Sequence, residues 1–264
     1  KNATSGLCID INADPESNRA VQRECAGTNG QWVLDSAGEG TVRLANQEDS
    51  KFLEIAGCSS ATNTPAQTAA WRNNACQRWQ ITPADDGNVS ITNMQSGLPV
   101  SIAGCSSSAN QAVLQSSEES ACGQWQLVPN GDVVMLSRQS GKTLSASEGN
   151  AIQTAWKGDK TQQWQFNATD SGFMYLKSSA EPTACLLIEN GEVVPGANAA
   201  TGSCEDKTAQ WRLKPVDGGG MMLINRYTRQ ALGLSDCGLA EGTNFAQQPD
   251  LGTRCQVFHL RSPD

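Results

Sequence analysis

Few side chains in this sequence are of types that do chemistry, and their numbers narrow what that chemistry is. One histidine, His259, occurs in 264 residues. A Ser-His or Cys-His nucleophile and a histidine-rich metal site therefore both lack their central residue. Acids are plentiful, 27 Asp and Glu, yet no spacing marks two of them as the carboxylate pair of a glycosidase. The segments Asp85-Asp86-Gly87-Asn88 and Pro129-Asn130-Gly131-Asp132 lack the spacing of a calcium loop and read as turns. No catalytic residue, metal or cofactor is expected. What remains are isolated acids, Asp10 and Glu54, inside short alternating apolar segments, and two tryptophans in similar polar segments. These are Gln67-Thr68-Ala69-Ala70-Trp71 and Gln153-Thr154-Ala155-Trp156. An indole in such a segment either offers a flat apolar face to a ligand or packs beneath its own loop; the residues alone leave both open.

The elements that must position these side chains emerge from a repeat. Six segments resemble one another: Gly30-Gln31-Trp32-Val33-Leu34, Gln77-Arg78-Trp79-Gln80-Ile81, Gly123-Gln124-Trp125-Gln126-Leu127, Gln162-Gln163-Trp164-Gln165-Phe166, Ala209-Gln210-Trp211-Arg212-Leu213 and Gln256-Val257-Phe258-His259-Leu260. Their aromatics stand at 32, 79, 125, 164, 211 and 258, steps of 47, 46, 39, 47 and 47. An apolar residue follows each at the second position, the alternation of a half-buried strand. Five of the seven tryptophans occupy this position, which assigns them to the core. An earlier strand precedes each one: Cys8-Ile9-Asp10-Ile11, Phe52-Leu53-Glu54-Ile55, Val100-Ser101-Ile102, Thr143-Leu144-Ser145-Ala146, Cys185-Leu186-Leu187-Ile188 and Ala231-Leu232-Gly233-Leu234. Helical periodicity is absent, and the chain reads as all-β.

The ten cysteines follow the repeat. In the second, third and sixth copies one lies shortly after the early strand and one three residues before the aromatic: Cys58 with Cys76, Cys105 with Cys122, Cys237 with Cys255. In the first and fifth, both members move upstream together: Cys8 with Cys25, Cys185 with Cys204. That joint shift predicts five bridges, each within its own repeat, in an oxidising and hence secreted setting. Each stabilises by about 3 kcal/mol in the chain-entropy model. The fourth repeat has none and is expected to be the softest.

A single repeat of this size cannot bury its apolar face, whereas three packed around an axis can. The short 39-residue step and Pro129-Asn130-Gly131 divide the six into domains 1–128 and 129–264. Through these repeats, strictly Gln-x-Trp in the second and fourth and Gln-x-Phe in the sixth, nearly the whole chain resembles the ricin B-type β-trefoil lectins, including carbohydrate-binding modules of family thirteen. The resemblance implies two tandem β-trefoils. It also implies one shallow sugar site per repeat: a carboxylate in the early strand for two hydroxyls, an aromatic for the sugar's apolar face, and an Asn-Gln pair before the Trp. Carried over repeat by repeat, it points to Asp10 and Asn29 in the first, with Arg23 near the aromatic place and Gly30 for Gln. In the second it points to Glu54, Trp71, Asn73 and Gln77, and in the fourth to Trp156 and Gln162. Ser101, Ser145, Leu187 and Gly233 stand in the acid's place elsewhere. No repeat holds the full set.

Composition excludes other classes. The net charge of −8 repels phosphate backbones, so nucleic acid is not an expected partner. No apolar run approaches the ~18 residues of a transmembrane segment. Lys1 opens the chain without a Met or an apolar leader, which predicts a processed or excised piece. The expected partner is a glycan or polysaccharide, with a catalytic or toxin domain in the same parent polypeptide or complex. The alternative is a protein-interaction or structural trefoil pair whose sugar sites have decayed.

Overall fold

The structure is a computed structural model that describes residues 1–11, 17–84, 88–118, 120–169, 172–216 and 220–263. The turn expected at Asp85-Asp86-Gly87 lies outside these residues. The chain forms two compact units, one of Lys1–Leu127 and one of Val128–Val216 with Gly220–Asp264. Among the described residues there is no α-helix, only β-strands and single 3-10 turns.

In the first unit, the first repeat contributes β1 (Cys8–Ile11), β2 (Ala20–Arg23) and β3 (Trp32–Gly38). The second contributes β4 (Thr41–Asn46), β5 (Phe52–Ile55), β6 (Ala66–Ala69) and β7 (Trp79–Pro83). The third contributes β8 (Val89–Asn93), β9 (Val100–Ile102), β10 (Val113–Gln115) and β11 (Gln124–Trp125). The second unit repeats the four-strand pattern three times. Its strands are β12 (Asp132–Ser137), β13 (Thr143–Ser147), β14 (Asn150–Thr154) and β15 (Trp164–Ala168), then β16 (Met174–Ser178), β17 (Ala184–Ile188), β18 (Ala199–Ser203) and β19 (Gln210–Val216). The last four are β20 (Gly220–Asn225), β21 (Ala231–Leu234), β22 (Phe245–Gln248) and β23 (Phe258–Arg261). Within every repeat the early strand pairs antiparallel with the next one. β1 meets β2 with Asp10 opposite Val21, and β5 meets β6 with Glu54 opposite Gln67.

The alternation places apolar residues of each early strand in the core and the intervening residue on the outer face. Leu53 and Ile55 are fully buried beside Trp79, and Leu186 and Ile188 beside Trp211. Burying an indole requires a partner for its N–H, and all five repeat tryptophans use the same one. Nε1 donates to a carbonyl of the early strand: Trp32 to Ile9 (2.8 Å), Trp79 to Leu53 (3.1 Å), Trp125 to Val100 (3.0 Å), Trp164 to Leu144 (2.9 Å) and Trp211 to Leu186 (2.8 Å). Phe258, which has no such donor, packs its ring on Phe245 at 5.6 Å. Trp32 departs from the expected core role: it is only half-buried, at the rim of the first unit's core, although it keeps the hydrogen bond.

All five expected disulfides are present, and no cysteine is free. Each closes a loop of 17 to 19 residues. Removing Cys58 and Cys76 together as alanines is expected to cost about 3 kcal/mol. Denaturant unfolding of the oxidised protein measures this directly.

Each unit also closes on itself by handing one strand to the loop of a neighbouring repeat. The Gln22 amide on β2 donates to the carbonyls of Ser106 and Ser108 in the third repeat (2.8 and 2.7 Å). Gln115 on β10 donates to Ser59 and Ala61 in the second (3.0 and 2.6 Å). The Thr68 N–H on β6 returns to Asn18 in the first (2.7 Å). The second unit runs the same circuit: Gln153 to Gly238 and Ala240, Gln247 to Glu192 and Val194, and the Thr201 N–H to Gly149.

Candidate functional site

Two early strands carry an acid on the outer face, and the two acids differ in what surrounds them. Glu54 is almost wholly buried, 3% exposed. Its Oε1 accepts from Gln67 (2.9 Å) and its Oε2 from Gln77 (3.1 Å), with the Arg72 guanidinium 3.5 Å away. Both carboxylate oxygens are thus already partnered within their own repeat. Gln77 cannot turn outward, because it latches the preceding loop: Oε1 accepts the Arg72 N–H and Nε2 donates to the Ala70 carbonyl, both at 2.7 Å. Trp71 is half-buried, tilted against Phe52 at 5.0 Å, with the Arg43 guanidinium 5.1 Å from its ring. Asn73 sits in a left-handed turn (φ 54°) and accepts from Arg78 (2.8 Å).

Asp10 is equally buried, at 3%, but differently served. Gly30 stands where the second repeat has Gln77, and a Cβ there would lie only 3.3 Å from Asp10 Oδ2. The glycine therefore both removes the amide donor and makes room for the carboxylate. Asp10 Oδ1 has no hydrogen-bond donor among the described residues. The nearest cation is the Arg23 guanidinium at 3.7 Å, beyond hydrogen-bonding range. Burial pushes the Asp10 carboxyl above its ordinary value, and the Arg23 charge offsets part of that rise. The acid lies in the wall of a cleft of about 360 Å³, lined also by Arg23, Glu24, Asn29 and the third repeat's Ala109 and Asn110. An acceptor that lacks a donor just beneath the cleft surface, beside amide and guanidinium donors, is the chemistry that a pair of hydroxyls, which both donate and accept, would complement. The structure thus brings Asp10 and Asn29 together at one cleft.

The other repeats lack this arrangement. In the fourth, Ser145, Thr143, Thr154 and Gln162 hydrogen-bond to one another. Gln162 also latches its loop through Lys157 and Ala155, as Gln77 does. Trp156 is half-buried, with the Arg261 guanidinium 5.2 Å from its ring. In the sixth, the Gln256 side chain fills the space above Gly233, and in the fifth, Leu187 occupies the acid's place. Asp132, in the Pro129-Asn130-Gly131-Asp132 segment, accepts from Lys160 (2.6 Å), Ser179 (2.8 Å) and Gln165 (3.0 Å). Those bonds, led by Lys160, hold its carboxyl down at about 2. No cluster of three or more His, Cys, Asp or Glu suited to a metal occurs among the described residues.

Sequence reasoning missed a further polar set. The buried Asn2, Asn93 and Asn225 each accept from two turn N–H groups through Oδ1. Through Nδ2 they donate to the carbonyls of Cys122, Cys76 and Thr208. The aligned Asn-x-x-Ser-Gly of the first and third repeats was the available signal.

Six copies of one β-unit, five pinned by a tryptophan on the early strand and the sixth by Phe258 on Phe245, with three closing each compact body, define a protein of the β-trefoil class. The chain belongs to the family described as ricin-type beta-trefoil lectin domain-like. The family model matches it five times in overlapping stretches, at residues 1–71, 28–117, 75–157, 121–202 and 160–248. Membership supports carbohydrate binding as the general activity. Among solved structures, the designed threefold-symmetric protein ThreeFoil is similar at 28% identity and a TM-score of 0.48, covering 50% of this chain and 99% of its own. The Macrolepiota procera ricin B-like lectin, solved with lactose, is similar at 19% and 0.47, covering 52% and 99%. The Abrus precatorius agglutinin is similar at 18% and 0.42, covering 98% and 94%. No curated protein matches the chain. No helix of the described residues is long and apolar enough to cross a membrane.

Proposed function

We propose that this chain is a non-catalytic glycan-binding module whose working site is the first-repeat cleft. It serves to hold a secreted protein, a catalytic or toxin domain of the same parent polypeptide or complex, on a polysaccharide or cell-surface glycan. The observation that carries this reading is the Asp10 carboxylate. It is buried at a cost in a residue that lines the cleft, yet its Oδ1, itself buried just beneath that wall, is left without a donor. Folding leaves such a cost in place where a ligand's hydroxyls offset it. The five disulfides suit the oxidising environment in which such modules work.

The test is an array of galactans, arabinans and xylans probed with the intact chain. The expected result is binding that Asp10→Asn removes. Trp71→Ala and Trp156→Ala should leave it in place, since both indoles already carry an arginine. A folded chain that binds nothing above background would overturn the reading and leave the protein-interaction alternative.

A further inference from the structure

We propose that the first-repeat cleft is a composite of two repeats, with Asn110 of the third repeat as its positioning residue. This deepens the reading above and rests on it. Arg23 ends β2 in the first repeat, and its Nε donates to the Asn110 side-chain oxygen at 2.7 Å. That bond aims the guanidinium at the cleft wall beside Asp10, 3.7 Å from its carboxylate. A long arginine side chain carries much rotamer freedom, and a fixed acceptor removes it before a ligand arrives.

The acceptor is itself held from several sides. Asn110 has φ 65°, a left-handed conformation that asparagine tolerates better than most residues. Its N–H donates to the Gln22 carbonyl (2.8 Å), and the Gln111 carbonyl accepts the Gln22 N–H (2.9 Å). The Gln22 amide ties Ser106 and Ser108 of the same loop, and Val21 bridges to Ala112. Cys105–Cys122 closes the loop at its base. Ala109 and Asn110 line the cleft together with Asp10 and Asn29, so a ligand seated on Asp10 meets residues of both repeats. The donor–acceptor pair that reads the hydroxyls is built from one repeat and aligned by another.

Two substitutions separate positioning from folding. Asn110→Gly keeps the left-handed backbone free of strain and deletes the side chain that carries the acceptor, and the Arg23→Gln background below separates that bond from any direct contact of Asn110 with the ligand. Asn110→Asp keeps the acceptor. With the whole chain titrated calorimetrically against galactobiose, arabinobiose and xylobiose, Asn110→Gly is expected to bind roughly tenfold more weakly at an unchanged Tm. Asn110→Asp should stay within about twofold of the parent. In an Arg23→Gln background, Asn110→Gly should add nothing further, because its effect passes through Arg23. If the parent binds and Asp10→Asn does not, but Asn110→Gly matches the parent, this inference fails while the binding reading stands. An Asn110→Gly loss undiminished in the Arg23→Gln background also overturns it. A parent that binds none of the three disaccharides overturns both.

Discussion

Asp10→Asn is expected to stabilise the folded chain at neutral pH while weakening glycan binding about 100-fold. The binding loss follows from two charge-assisted hydrogen bonds at about 1.5 kcal/mol each. The stability gain follows from the environment of the carboxylate. Its folded pKa lies above the ordinary 3.8, because burial outweighs Arg23, so the native state holds this proton more tightly than the unfolded chain. Stability from this group is therefore fully present below the unfolded value and is lost as pH rises through the raised folded value. Asparagine is neutral at every pH and carries no such loss. Thermal unfolding at pH 7 should show a higher Tm for the variant, and the gap should shrink as the pH falls toward 3.8. Glycan binding by the parent should weaken over the same descent, as the acceptor takes up its proton. A variant less stable than the parent at pH 7 would mean that the carboxylate is satisfied in the native state and that Asp10 is not held in reserve for a ligand.

The second large effect belongs to the core. Trp164→Ala is expected to cost about 3–5 kcal/mol, the range for a large aromatic removed from a packed interior. The indole is fully buried, in the one repeat of its unit that no disulfide braces. Trp164→Phe separates packing from hydrogen bonding. It retains most of the ring volume but leaves the Leu144 carbonyl without its donor, at a cost of about 1–3 kcal/mol. The sixth repeat shows that the position accepts Phe when a second ring, Phe245, packs beside it. Denaturant unfolding of both variants gives the two terms. Equal losses for Ala and Phe would assign the whole effect to the N–H.

The architecture was legible because it is written six times. The recurrence of an aromatic and an early strand needs no knowledge of tertiary contacts, and the paired displacement of Cys8 with Cys25 and of Cys185 with Cys204 yields the bridging pattern from order alone. The chemistry of the outer face was less legible. In the sequence, Gly30 reads as the loss of a ligand residue; in the fold it is what leaves Asp10 unsaturated. Gln77 and Gln162 read as parts of a sugar site, whereas their amides are spent on the loops just before them. Neither point can be read from residue type, because both depend on which way a side chain turns within a few ångströms. Asn110 lay further out of reach. It belongs to another repeat, some 87 positions from Arg23, and repeat alignment compares equivalent positions without saying which copies touch.

The circuit of Gln22, Gln115 and Thr68, and its counterpart through Gln153, Gln247 and Thr201, bears on how such a chain can grow. Each repeat both gives a strand to one neighbour's loop and takes one from the other, so the circuit has no free end at three. A fourth copy inserted into either unit would find every loop already claimed, and a deleted copy would leave one giver and one taker without a match. Duplication of this gene segment is therefore productive only in whole sets of three. Individual copies are free to lose or change their outer-face chemistry while remaining indispensable as links.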